Sequence, residues 1–230
     1  MVGRSKAMRN YMKSIMSDEC PWCVVSASTV GWAKRLYPEL NDEEAYLKLW
    51  DQILSACRST GDDPVAEWEE HIKVLDEKAK FLHENELVKL HITNDLGTDL
   101  YVGLPKNHIW QSAGSYAKKA DRFVANIPTE EVFTMPHKDE TSGIVYNAKP
   151  LNYSGVLIDN FWLKFENGKV VDFGAERGYD VLKNLLETDE GSRRIGEMAL
   201  VPYDSPISNT KIQFLETLFD ENAACHIALG

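Results

Sequence analysis

Long apolar runs are absent. No stretch of the 230 residues reaches the about 18 uncharged apolar positions that a membrane helix needs. Cysteine is scarce, with four residues, too few to staple a disulfide scaffold. Basic charge is also short. Against 36 Asp and Glu stand 25 Lys and Arg, a net charge of −11. Such a surface lacks the basic face that phosphate binding requires, so no nucleic-acid partner is expected. The opening MVGRSKAMRNYMKSIMS is basic. It has no uninterrupted apolar core and no small-residue cleavage site, so it does not read as a secretory signal. A reducing cytoplasm is the expected location, with no membrane partner. The sequence has no HExxH, no His-x-His, no second Cys-x-x-Cys, no repeat and no flexible linker.

What is present is an ordinary globular composition, 43% apolar and 27% charged. Residues 1–90 carry helical periodicity. Met8, Tyr11, Met12, Ile15 and Met16 form a stripe that predicts a packing face. Asn41 or Asp42 caps a predicted helix to about Arg58, with Tyr46, Leu47, Trp50, Ile53 and Leu54 on one face. Pro64 starts another to about Glu86, which should bury Trp68, Ile72, Leu75 and Leu82. Residues 41–90 hold 13 Asp and Glu against 6 Lys and Arg, read as solvated helix surface.

At Leu87 the apolar period drops to about 2. Val88, Leu90 and Ile92 alternate with polar residues, and Asp95-Leu96-Gly97 turns the chain into Asp99–Leu104. Later strand candidates are Ser142–Tyr146, Gly155–Asp159, Phe161–Glu166 and Lys169–Phe173. Asn167-Gly168 supplies the positive φ angles of a tight hairpin. The expected fold is α+β. A helix-rich part, 1–86, precedes a mixed-sheet, metal-binding part, 87–230.

Several residue groups could carry chemistry. Cys20-x-x-Cys23 suggests a redox pair, but the apolar strand follows the motif instead of preceding it, so ordinary thiols are expected. His71 and His83 sit on the charge-rich helix and read as solvated, whereas His108 and His137 are loop residues able to line a cleft. Three segments stand out. Glu130 and Glu131 lie in an apolar, strand-like setting, Glu197 sits in the apolar run Ile195–Pro202, and His226 follows a run of small residues. A buried unpaired carboxylate costs several kcal/mol or takes up a proton. Two carboxylates and a histidine brought together would suit Zn²⁺, Mn²⁺ or Co²⁺. Capped or salt-bridged structural acids are the alternative.

The strings NIPTEEVFT, GIVYNAKPLNYSG, LETDEGSRRIGEMALVP, DSPISNT and LFDENAACHIALG carry a resemblance. Together with VSASTVGWAKRLYP and GTDLYVGLP upstream, they resemble the thermophilic metalloaminopeptidases, the aminopeptidase T and S type. The resemblance covers nearly the whole chain. It implies hydrolysis of peptides from a free N-terminus by a water activated between two divalent ions, Zn²⁺, Co²⁺ or Mg²⁺. It places the metal ligands on Glu131, Glu197 and His226, with Glu197 bridging both ions. Strand alternation alone says only that Glu130 and Glu131 point to opposite faces. Glu130 is by position the candidate proton shuttle to the leaving amine. A homodimer is implied as well.

Family members also carry an N-terminal α/β domain, and beyond HIALG a tyrosine and a His-x-Asp pair that serves the second ion. The resemblance therefore implies an internal piece, with half of a two-metal site and reduced activity. The rival expectation is a folded remnant acting as a binding or dimerisation module.

Overall fold

The computed structural model describes residues 8–118, 122–153 and 155–230. The first basic side chains, Arg4 and Lys6, lie outside them. The protein is α+β and divides into two compact units. One comprises Met1–Asp76 with Ser112–Thr129, the other Glu77–Gln111 with Glu130–Gly230. The grouping is thus not one cut near residue 86: the short strands between 112 and 129 group with the first helices. No helix of the described residues is long and apolar enough to cross a membrane.

In the first unit, the helix Asp42–Ala56 begins at a reciprocal cap. The Asn41 side chain accepts from the Glu44 amide at 2.9 Å, and the Glu44 carboxylate accepts from the Asn41 amide at 3.3 Å. Its buried face is Ala45, Leu49, Ile53 and Ala56. That corrects the expected stripe: Leu47 and Leu54 are exposed, because the inward row is Ala45, Leu49 and Ile53 at i, i+4 spacing, which turns both leucines outward. The first helix, Arg9–Met16, also departs from expectation. Met8, Tyr11 and Met12 are exposed rather than packed.

His71 is not simply solvated. Its Nε2 lies 2.8 Å from the carbonyl oxygen of Thr129. Arg122 donates two hydrogen bonds to Asp76, each 2.6 Å, and the Ser112 hydroxyl donates to the same carboxylate. These bonds hold Asp76 below the usual carboxylate range, Arg122 contributing most. Val24–Val25 and Asn126–Ile127 pair in parallel. Cys20 and Cys23 are exposed free thiols just before that strand, with no helix starting at them. Burial pushes the Cys23 thiol up, away from a reactive thiolate.

The strands of the second unit pair antiparallel among the described residues. The parallel pairing found after residue 86 is that of Asn126–Ile127 in the first unit, and the sheets of the second unit are antiparallel. Tight hairpins join Lys89–Thr93 to Asp99–Gly103 and Val156–Glu166 to Lys169–Arg177. The larger sheet runs in the order Lys169–Arg177, Val156–Glu166, Thr141–Tyr146, Asp99–Gly103, Lys89–Thr93. The two strands expected at 155–159 and 161–166 are one strand, with Asn160 at φ 47° inside it. Asn167 and Gly168 turn at φ 50° and 75°, as their sequence requires. The helix Tyr179–Leu186 buries Leu182 and Leu186 against Leu100, Val102, Ile158, Leu163 and Phe165. Ile195 and Met198 join that core from the smaller sheet. The core thereby holds in place the strand that carries Glu197.

Candidate metal centre

The smaller sheet has three antiparallel strands in the order His226–Leu229, Ile195–Leu200, Val132–Thr134. Ala199 pairs with His226 on one side and Phe133 on the other. Side chains alternate across a sheet, so Glu197, two residues from Ala199, shares the face of His226. An acid in an apolar run is thereby explained: Met198, between them, points the opposite way into the core. Ile195 is also in that core, three positions away. The pairing slips between Ile195 and Glu197, where two residues stand opposite one. Gly196 is the extra residue, and a Cβ there would press on the Gly230 Cα at 3.2 Å.

Glu131 enters from the residue just before the Val132–Thr134 strand. The His226 Nε2 stands 2.9 Å from Glu131 Oε2 and 3.9 Å from Glu197 Oε1. One donor atom from each of the three lies within 4.8 Å of the others. The three expected ligands are therefore brought together from strands far apart in sequence. Glu130 stands outside this group. It is buried, at 2% exposure, and its amide donates to Asn222 Oδ1 at 2.7 Å. His137 is not at the group either: its Nδ1 lies 3.8 Å from Glu140 Oε1.

The three residues fit a divalent cation. Glu131 Oε2 is buried and has no hydrogen-bond partner in line, so a carboxylate oxygen faces the group unsatisfied. The His226 Nδ1 lies 3.1 Å from the Ala224 carbonyl oxygen, which fixes the ring and leaves Nε2 to face the carboxylates. One imidazole nitrogen and two carboxylates form a donor set used by zinc and neighbouring divalent ions.

The electrostatics follow from carboxylates crowded around one imidazole. Burial opposes charge on His226, but the contact with Glu131, its charge and the Ala224 carbonyl outweigh this, raising the pKa to about 9. Glu197 is raised by burial and then by Glu131, against the pull of His226. Glu221 is raised to about 7, by burial first. His226 lowers it, while Glu131 and Glu197 raise it. Sequence reading passed over Glu221 and Asn222. The available signal was an acid and an amide in the small-residue run that leads to His226. Glu221 and His226 also border a cavity of about 650 Å³, otherwise walled by side chains such as Phe161, Leu163 and Met198.

These residues can be set beside known proteins. Aminopeptidase AmpS of Bacillus subtilis (strain 168) is 50% identical over 225 residues, 98% of this chain and 55% of that protein. Aminopeptidase 2 of Geobacillus stearothermophilus is 47% identical over 226 residues, 98% of this chain and 54% of that one. The solved structure of wild-type AmpT from Thermus thermophilus matches with a TM-score of 0.89 at 41% identity. It covers 100% of this chain and 57% of that one. The chain spans about half the length of the curated relatives it matches. Residues 1–230 match the thermophilic metalloprotease family M29 end to end, and the chain belongs to that family.

Proposed function

We propose that this chain carries the hydrolytic part of a metal-dependent aminopeptidase that removes N-terminal residues from peptides. The convergence of Glu131, Glu197 and His226, with a buried unsatisfied oxygen on Glu131, is the observation that carries the reading. Its relatives are named aminopeptidases, which supports the substrate class. In this reading Glu77–Gln111 with Glu130–Gly230 forms the catalytic part, and the helix-rich unit that holds most of residues 1–86 belongs to another domain. A homodimer and a cytoplasmic location belong to the proposal and rest on the resemblance.

Glu131, Glu197 and His226 would hold the ion, and by the family resemblance Glu197 would serve a second one as well. Bound divalent ions supply Lewis acidity and a nucleophilic water at neutral pH. The chain's own groups do the rest. The carboxylates around the site attract the free ammonium group of a peptide by charge pairing. The Ala224 carbonyl holds the His226 ring in orientation. Glu130, next to Glu131, is the proposed proton carrier to the leaving amine. Three donors suit the holding of one such ion.

The experiment is hydrolysis of an amino-acid anilide by this chain with added Co²⁺ or Zn²⁺. Metal-dependent release that Glu197→Gln abolishes supports the reading. Absence of metal binding and of any release would replace it with a non-catalytic binding or dimerisation module.

A further inference from the structure

We propose that Asn222 is a positioning residue that sets the spacing of Glu131 and His226, an inference that rests on the metal-site reading above. Asn222 is wholly buried, at 0% exposure. A buried amide costs free energy unless both its ends are satisfied. Here its Oδ1 accepts from the Glu130 amide at 2.7 Å, and its Nδ2 donates to the Leu218 carbonyl at 3.0 Å. The first bond crosses 92 residues of sequence. It grips the backbone one residue before Glu131, at the entry to the Val132–Thr134 strand. Asn222 itself sits in the short turn Glu221–Ala223, four residues before His226.

One side chain therefore ties together the two backbone segments whose ligand atoms stand 2.9 Å apart. Bonds of about 2.0–2.2 Å to a shared ion leave little room for those segments to drift. The two hydrogen bonds have separate tasks. The Leu218 bond orients the amide within its own turn. The Glu130 bond acts on the site. Asn222→Asp keeps an oxygen for the Glu130 amide and loses the donor to Leu218. Asn222→Leu keeps the approximate volume and loses both bonds.

The test titrates the 230-residue chain and both variants with Co²⁺, following heat and the visible Co²⁺ absorption. Circular dichroism confirms that each is folded at the working temperature. Asn222→Leu should weaken Co²⁺ affinity about 10–100-fold and alter the absorption band, as loss of a ligand-orienting partner does. Asn222→Asp should recover most of the affinity and the wild-type band. Equal losses in both variants, or unchanged affinity in Asn222→Leu, would overturn the positioning role. If the unaltered chain binds no Co²⁺, the metal-site reading fails, and this inference with it. Should Asn222→Leu not fold, Asn222→Ala takes its place and the same comparison decides.

Discussion

The His226 Nε2 lies 2.9 Å from Glu131 Oε2, and the two belong to segments almost a hundred residues apart. Against the effect of burial, the contact with Glu131 and its charge raise the His226 pKa to about 9. A raised histidine contributes stability that is complete below its unfolded value near 6.5, and that is lost as pH rises through about 9.

Metal uptake should therefore release protons. A divalent ion needs a neutral imidazole, and His226 is protonated at pH 7.5 in the free site. Calorimetry in buffers of different ionisation enthalpy should show about one proton released per ion at pH 7.5, and fewer above pH 9. Glu131→Gln removes the partner that holds the proton. Its release should fall towards zero, together with most of the metal affinity. Uptake without proton release in the unaltered chain would contradict the assignment.

Glu197 should trade stability for function. Its pKa is raised, so its charge at pH 7 is unfavourable in the metal-free fold, first through burial and then through Glu131. Glu197→Gln should stabilise the metal-free chain. Glu197 is about a third exposed, so solvent screening keeps the gain near ~0.5 kcal/mol, or about 1–2 °C in melting temperature. The gain should shrink at pH 4, where the carboxylate takes up a proton. The same variant should lose metal-dependent hydrolysis. A variant both less stable and still active would refute this account.

The Asp76–Arg122 pair makes a prediction about the other unit. Asp76 is depressed chiefly by the Arg122 hydrogen bond, so its contribution is present above pH 4 and is lost as pH falls through its lowered pKa. Both side chains are about a third exposed, which limits the pair to about 0.5–1 kcal/mol. Arg122→Ala should lower the melting temperature by about 1–4 °C at pH 7 and by less at pH 2.5. An equal loss at both values would mean that Arg122 acts through packing.

Gly168 should resist substitution. It turns at φ 75°, and a Cβ there would collide with the Lys138 carbonyl. Its amide also donates to the Thr141 carbonyl at 2.8 Å, so the turn cannot simply swing away. Gly168→Ala should cost about 2 kcal/mol, a fall of about 4–8 °C in melting temperature. Gly155 also has a positive φ, 82°, but open space around it. Gly155→Ala should cost less, and the reverse order would refute the steric argument.

Local features were legible because their causes are local. The Asn41 cap, the Asn167-Gly168 turn and the period change at Leu87 each depend on neighbours a few residues away. The α+β class follows from that change of period. The candidate ligands Glu131, Glu197 and His226 were reached through family resemblance, since nothing local ties positions 131, 197 and 226 together. Long-range packing decided the rest. It chose which face of the Asp42–Ala56 helix is buried, since apolar residues lie on more than one face and Leu49 and Ile53 turn inward while Leu47 and Leu54 turn out. It placed Gly196 in a bulge that puts Ile195 and Met198 in one core. It also separated two adjacent acids, bringing Glu131 to His226 while leaving Glu130 outside the group, its amide held by Asn222. Strand pairing over long separations sets these relations, and a sequence pattern with a period of two residues carries no record of which strands will meet.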